Sequence, residues 1–235
     1  MRFMFGLPTV TGWYDILVTN SILNQHAYII EGHHQLINRL IHHTLIGNAR
    51  NQIAHSAVEN KCDYLFFIDS DVVIPPDALK RLVAHNKDIV SGMYFHKQAP
   101  FYPVAYMREV DAMRNETGLY NGIAEYPKDT LIEVDAIGMG CCLIKTDVFK
   151  NFIADTKHTM DNGEEKTYTE CYAFEPLPPP VGMIAMGEDM AFCKRCQDKG
   201  YKIYLDTGLQ CKHQTVRYID EEYYEKSMQR IKAAK

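Results

Sequence analysis

A short apolar run followed at once by acidic residues constrains the fold more than any other stretch of this chain. Residues 64–68 read Tyr-Leu-Phe-Phe-Ile, a continuous apolar run of strand length. Such a run is typical of a central strand that is buried on both faces, as in parallel sheets. Residues 75–77, Pro-Pro-Asp, then open a predicted helix that extends to about residue 86, because proline is tolerated in a first helical turn and aspartate complements the helix dipole. With another strand predicted over 88–95, the alternation indicates a largely parallel sheet covered by helices.

The rest of the chain favours the same α/β class. Periodicity predicts further strands over residues 2–7, 26–30, 104–108, 133–145 and 201–206, and helices over 12–25, 47–59, 146–152 and 188–199. Residues 155–166 are polar and predict a surface loop, whereas residues 218–235 predict a charged C-terminal helix. Because the chain has 235 residues and no evident linker, we expect a single domain with a mostly parallel central sheet flanked by helices.

Composition excludes some functional classes. The formal net charge of -5 argues against strong nonspecific binding to nucleic acid, which depends on neutralising phosphates with Lys and Arg. No segment approaches the roughly 20 apolar residues that span a bilayer, so no stable membrane span is expected. Seven cysteines without a regular spacing indicate reduced thiols. We therefore expect a cytoplasmic protein (in the host cytoplasm if it is viral), and the sequence does not predict its oligomeric state.

Asp69, Ser70 and Asp71 directly follow the central apolar strand. Ligands of open α/β sheets bind at the carboxyl ends of the strands, so these side chains are expected to face a cleft. In an extended backbone, residues two apart point to the same side, which would bring the two carboxylates together. Mg²⁺ and Mn²⁺ often link such carboxylates to phosphate oxygens. A turn with a helix cap is an equally good interpretation of this segment taken alone.

Three other features could carry chemistry. Glu188 and Asp189 open a predicted helix, where they either complement its dipole or supply a general base. His213 follows the last predicted strand and is either a metal ligand or a packed histidine. Gly138 and Gly140 either allow a bulge or let a ligand approach the backbone closely.

Together these segments are more specific than any one of them. The order of these segments resembles that of glycosyltransferases of the GT-A fold. The segments are the strand with its acidic residues, residues 138–140, the block from Gly187-Glu188-Asp189 through residue 206, and His213. The likeness is to the family 2 type, which includes small phage and bacterial members. It also covers residues 48–51, Asn-Ala-Arg-Asn, and extends over roughly residues 1–215.

The resemblance implies a metal-dependent, inverting transferase that moves a sugar from a nucleoside-diphosphate sugar, with a UDP-sugar as the expected donor, to an acceptor hydroxyl. It implies a nucleotide-binding half over about 1–110, an acceptor-binding half over about 111–215, and the helix 218–235 outside both. The acceptor could be a glycan, a protein or a modified DNA base. Carried over residue by residue, the resemblance implies that Asp69 contacts the ribose or the metal and that Asp71 and His213 ligate Mn²⁺ or Mg²⁺. It implies that Asp189 is the general base and that Glu188 supports the acceptor site. It places Arg50 near the nucleotide and Pro8 and Thr9 near the nucleobase, with Ser70, Gly138 and Gly140 as further donor contacts.

Two other classes compete with this interpretation. Cys193, Cys196, Cys211 and His213 have a spacing that could suit a structural zinc site in a non-catalytic binding module. Against zinc, the first two cysteines fall on a predicted amphipathic helix, where buried thiols are common. A nucleotidyltransferase would also use paired acids and Mg²⁺, but it usually needs a Gly-rich phosphate loop or an activating lysine, and neither is evident over residues 1–12.

Overall fold

The computed structural model describes residues 1–110, 116–159, 165–176 and 185–215. In chain order, the helices of this part are α1 (Ile16–Asn24), α2 (His26–Glu31), α3 (Ile46–Glu59), α4 (Ala78–Ala84), α5 (Thr146–Lys150) and α6 (Glu188–Asp198). The strands are β1 (Arg2–Pro8), β2 (Gln35–Ile41), β3 (Tyr64–Ile68), β4 (Val72–Val73), β5 (Ile89–Met93), β6 (Ala105–Val110), β7 (Glu116–Gly122), β8 (Leu131–Val134), β9 (Ala136–Ile137), β10 (Cys141–Lys145), β11 (Ile153–Thr159), β12 (Glu165–Thr169), β13 (Glu175–Pro176), β14 (Ala185–Met186), β15 (Ile203–Gln210) and β16 (Lys212–His213).

A seven-stranded sheet forms the centre, with the order β2-β1-β3-β10-β5-β15-β8. The expected α/β class is confirmed, but the sheet is mixed rather than mostly parallel. β1 pairs in parallel with β2 and β3, and β5 with β15. β10 runs antiparallel between β3 and β5, and β8 runs antiparallel to β15. The residues of β10 show the pattern of any buried strand, and this pattern does not indicate the direction of the strand. The direction depends on the course of the long connection between β5 and β10, which the sequence does not reveal.

Buried side chains fill both faces of this sheet. Leu65 and Phe67 of β3 pack with α3, α5 and α6 on one face, whereas Phe66 and Ile68 pack with α1, α2 and α4 on the other. β3 is therefore apolar at every position from residue 65 to 68 because it has no solvent-facing side. The apolar run that the sequence indicates is indeed the central strand.

Several expectations about single elements are wrong. Residues 26–30 belong to helix α2, since the chain turns at Gln25 and continues helical, and Ile29 is the one fully buried residue of that helix. Residues 155–159 and 165–166 belong to the antiparallel pair β11 and β12 rather than to the predicted loop, because polar strands can pair without an apolar signal; the rest of that predicted loop, 160–164, lies outside the described residues. The edge strand β2 is missing from the sequence prediction since its residues are polar or half-exposed. The predicted helix over 218–235 lies outside the described residues.

Two further features concern the helices and the cysteines. Within the described ranges, no helix combines the length and the apolar character that crossing a membrane requires. All seven cysteines are free and buried.

The aromatic core beneath α6 provides a stability test. Phe192 is fully buried and stacks on Tyr172 with ring centroids 4.4 Å apart, whereas Phe174 is 56% exposed. We expect Phe192→Ala to lower the free energy of unfolding by about 3–5 kcal/mol, because it leaves a cavity. The matched change Phe174→Ala should stay within about 0.5 kcal/mol of the parent. Urea unfolding followed by circular dichroism measures both, and equal effects would contradict this description of the core.

Candidate active site

The sheet order brings the candidate residues to one edge. β1, β3, β5 and β15 run in the same direction, so their carboxyl ends lie together. Because β10 is reversed, its first residue, Cys141, lies opposite Ile68 at the end of β3. Residues 138–140 therefore lie at the same edge as Asp69. The reversed direction of β10 thus brings these candidate residues close together.

Arg50 is the centre of a cluster of four charges. It lies in α3 with its side chain only 3% exposed. One guanidinium nitrogen donates to Glu188, at 2.7 Å, and to Asp189, both in the first turn of α6. The other donates to the Asp69 carboxylate at 3.1 Å. A single buried cation thus joins three carboxylates from two separate elements, β3 and α6. Arg50 therefore forms the buried floor of this cluster.

The pKa of the Asp189 carboxyl is higher than is usual for an aspartate. Burial raises its pKa to about 7; Arg50 opposes the shift, and the nearby charges of Glu188 and Asp69 add to it. Burial alone would lower the pKa of Arg50, but Asp189, Asp69 and Glu188 together raise it, so this guanidinium stays charged. Asp189 also accepts a hydrogen bond from the Met139 backbone N–H at 3.2 Å. A carboxylate that titrates near neutral pH at the edge of a sheet is suited to accepting a proton.

Asp71 and His213 form a second group at the same edge. β16 pairs with β4, and this places the His213 imidazole 3.4 Å from Asp71, measured from Nε2 to Oδ1. Lys97 contacts the other carboxylate oxygen. Burial alone would raise the pKa of Asp71, but hydrogen bonds from His213 and Lys97 outweigh it and lower the pKa to about 2. Asp71 is therefore ionised at any physiological pH.

Asp69 and Asp71 do not point to the same side. Residues 69–71 form a turn, with the Val72 N–H donating to the Asp69 carbonyl, so the extended geometry expected from the sequence does not apply. Asp69 faces Arg50, and Asp71 faces His213. Among the residues that the structure describes, no three His, Cys, Asp or Glu side chains are grouped as a metal would require.

The donor set of Asp71 and His213 nevertheless fits a divalent cation. His213 Nδ1 lies 2.7 Å from the Phe95 carbonyl, which can only accept, so this nitrogen carries the hydrogen. With both nitrogens protonated, Nε2 donates the hydrogen bond that lowers the pKa of Asp71, whereas in the neutral ring Nε2 presents a lone pair toward the Asp71 oxygen. Two facing lone pairs need a proton or a metal ion between them. Backbone carbonyls orient metal-binding histidines in this way, and Mg²⁺ completes its shell with substrate phosphates and water.

Gly138 and Gly140 are required by packing against Tyr94. A Cβ at Gly138 would lie 2.1 Å from the Tyr94 hydroxyl, and one at Gly140 would lie 3.0 Å from the same ring. The Gly140 N–H donates to this hydroxyl. Tyr94 also packs edge-on against His213, with ring centroids 5.3 Å apart. The two glycines thus make room for a tyrosine that packs against His213.

The remaining predicted donor contacts lie at the end of β1 and in the cleft. Thr9 is buried, and its N–H donates to the Ile41 carbonyl. The Pro8 carbonyl accepts from Tyr14, which also donates to the Ile68 carbonyl. Ser70 lines a cleft of about 500 Å³ whose other lining residues are Asp15, Asp71, Lys97, Gln214 and Thr215.

Sequence reasoning missed several residues of this edge. Lys97 lies in the connection after β5, where no motif marks it. His96 and Tyr106 form a pair, with Nε2 and the hydroxyl 2.8 Å apart, and burial raises the pKa of Tyr106 to about 12, with a further contribution from Asp189. The position of His96 just after β5, and of Tyr106 in the following strand β6, could have indicated that they belong to the site. Ligands of such sheets bind beyond the carboxyl ends of the strands.

The zinc hypothesis is wrong. Cys193 and Cys196 lie on the buried face of α6, and the Cys193 thiol contacts the Ile137 carbonyl. Cys211 packs in the core on the opposite face of the sheet. His213 faces Asp71. The four proposed ligands therefore do not form one site.

Comparisons with known proteins agree with this architecture. The family model Anp1 matches residues 16–102, well under half of the chain. The crystal structure of A197 from STIV matches with a TM-score of 0.53 and 18% identity, and the alignment covers 94% of this chain and 87% of that one. The structure of apo-UDP-glucose pyrophosphorylase aligns over 100% of this chain and 99% of that one, with 10% identity and a TM-score of 0.44, which is too weak to indicate a shared fold. No curated protein sequence matches. The chain has a mixed, single-domain α/β fold of the GT-A-like kind.

The Arg50 cluster should control stability. We expect Arg50→Met to lower the free energy of unfolding by about 3–5 kcal/mol, because it leaves three partly buried carboxylates without their cation. The loss should be larger at pH 8 than at pH 5, since the pKa of Asp189 is raised and protonation removes part of the repulsion. Chemical denaturation at the two pH values measures this effect. The control is Arg39→Met on the exposed face of β2, and a similar loss in both variants would contradict the assignment.

Proposed function

We propose that the protein is a metal-dependent, inverting glycosyltransferase that moves a sugar from a nucleoside-diphosphate sugar to an acceptor hydroxyl. The observation that carries the proposal is the Asp189 carboxyl, whose pKa is raised to about 7 beside the carboxylate-binding Arg50 at the carboxyl edge of the sheet. The match to the Anp1 family model and the GT-A-like fold support a transferase of the nucleotide-sugar class. A UDP-sugar is the donor that we propose to test first.

Asp189 acts as the general base in this proposal. It takes the proton of the acceptor hydroxyl while the acceptor oxygen bonds to the anomeric carbon. The bond from that carbon to the diphosphate oxygen breaks, and the nucleoside diphosphate leaves with the electron pair. General-base assistance of this kind typically contributes about 10²–10⁴-fold in rate. Glu188, held by the same guanidinium, sets the position and charge of Asp189.

Asp71 and His213 are the residues that would hold Mn²⁺ or Mg²⁺. When bound there, the metal would neutralise negative charge on the diphosphate. Asp69 is assigned to the donor ribose rather than to the metal, because its carboxylate is turned to Arg50. Ser70 lines the adjoining cleft, which gives the diphosphate room beside Asp71.

The division of labour along the chain is part of the proposal. Residues of about 1–110 supply Pro8, Thr9, Asp69 and Asp71 to the donor, and residues of about 111–215 supply Asp189 to the acceptor. The acceptor class, whether glycan, protein or modified DNA base, is open to assay with each as substrate. A nucleotidyltransferase would release inorganic pyrophosphate, whereas the proposed transfer releases a nucleoside diphosphate, so product analysis separates the two.

Replacing the base should separate binding from chemistry. Asp189→Asn should retain donor binding and lose at least about 10²-fold in transfer rate, since the amide cannot accept the proton. In the unmodified protein, kcat/KM should rise with pH and level off above about 7, as Asp189 loses its proton. Asp198→Asn, an exposed change on the same helix, is the control. Full activity in Asp189→Asn would remove Asp189 from the proposed role.

Replacing the proposed metal ligand should abolish metal-dependent donor binding. A thermal-shift panel of nucleoside diphosphates and nucleotide sugars, with Mn²⁺ and with EDTA, identifies the donor class. Stabilisation by donor plus Mn²⁺ should disappear in Asp71→Ala and persist in Asp77→Ala, whose exposed side chain makes no capping bond at the start of α4. If donor binding with Mn²⁺ survives in Asp71→Ala, the metal assignment is incorrect.

A further inference from the structure

The Lys97 ammonium forms an ion pair with the Asp71 carboxylate, which the proposed function assigns to a metal ion. Its ammonium contacts Oδ2 of Asp71, while Oδ1 of the same carboxylate faces His213. The Lys97 and Asp71 side chains are 34% and 40% exposed, at the mouth of the cleft of about 500 Å³. No motif in the sequence marks this lysine, yet it contacts one of the two carboxylate oxygens of Asp71, the best candidate metal ligand.

The neighbouring carboxylate in this cleft is already engaged. Asp15 caps α1 by accepting from the Leu17 N–H at 2.7 Å, and the same oxygen accepts from Gln214 at 3.0 Å. Asp71 itself is fixed through its backbone, because its carbonyl accepts from the Gln214 N–H at 2.7 Å. The Asp71 carboxylate thus stays in place while its cationic partner can change.

A divalent ion beside Asp71 and His213 would share one carboxylate with the Lys97 ammonium. Two cations so close repel one another, so each weakens the hold of the other on Asp71. Lysine carries its charge on a flexible four-carbon stem with three donors, and a half-exposed lysine can move at little cost. The diphosphate that would enter this cleft offers the displaced ammonium several anionic oxygens.

We infer that Lys97 is a resident counter-ion of Asp71 that gives way to a divalent cation and then binds the diphosphate of the donor. Its diphosphate role rests on the proposed function, whereas the competition for Asp71 does not. Lys97 acts on the metal through Asp71 and is therefore a positioning residue for it. Metal and diphosphate then favour each other's binding, since the diphosphate draws the competing lysine away from Asp71.

Binding of Mn²⁺ alone tests the competition. Titration of the full chain with Mn²⁺, followed by electron paramagnetic resonance of the free ion, gives the affinity without any donor. Lys97→Met should bind Mn²⁺ about five- to tenfold more tightly than the parent, because the competing charge is gone. Lys97→Arg keeps the charge and should match the parent. Circular dichroism establishes that each variant is folded.

Inorganic pyrophosphate in EDTA tests the second part, independently of the base and sugar of the donor. Lys97→Met should bind it several-fold more weakly than the parent and Lys97→Arg. Unchanged or weaker Mn²⁺ binding in Lys97→Met, no Mn²⁺ binding in any variant, or unchanged pyrophosphate affinity would each overturn the inference. Failure of the proposed function would instead appear as absence of sugar transfer by the parent, a result that leaves the Mn²⁺ comparison intact.

Discussion

The buried guanidinium of Arg50 is the interaction on which the rest of the site depends. It joins Asp69 at the end of β3 to Glu188 and Asp189 at the start of α6, positions about 120 residues apart along the chain. Without it, three partly buried carboxylates would repel one another, and the pKa of Asp189 would rise further because Arg50 opposes its upward shift. The same contact that holds these elements together also keeps Asp189 near the midpoint of its titration at neutral pH. Stability and proton affinity are therefore set by one side chain.

Local patterns predict much of the fold but little of its pairing. The apolar run of β3, the proline-opened α4 and the acidic start of α6 are all evident from spacing alone, because each depends on neighbours within a few residues. The reversed insertion of β10 and the pairing of β16 with β4 depend on long connections. Those two pairings decide which candidate residues meet, so the sequence names Asp71 and His213 but cannot establish that Asp69 turns away from them.

Residues of the Asn48–Asn51 block illustrate the same limit. The family resemblance implies a position near the nucleotide for Arg50, and in the fold its buried side chain binds the carboxylates of Asp69, Glu188 and Asp189. Asn51, one residue later, accepts from the backbone N–H groups of Cys171 and Tyr172 and donates to the Tyr172 carbonyl. Two adjacent side chains of α3 thus anchor two distant segments, one through charge and one through hydrogen bonds. These two side chains of one short polar motif thus help to hold the candidate site together.

The reversed strand β10 has a consequence for how the polypeptide can be divided. β10 lies between β3 and β5, yet it follows them by dozens of residues in the chain. A fragment ending near residue 110 would contain both neighbours and lack the strand that joins them, which leaves two apolar backbone edges open to self-association. β10 and its two neighbours, which come from distant parts of the chain, are consequently parts of one folding unit. On the ribosome, the middle of the sheet can close only after residue 145 has emerged.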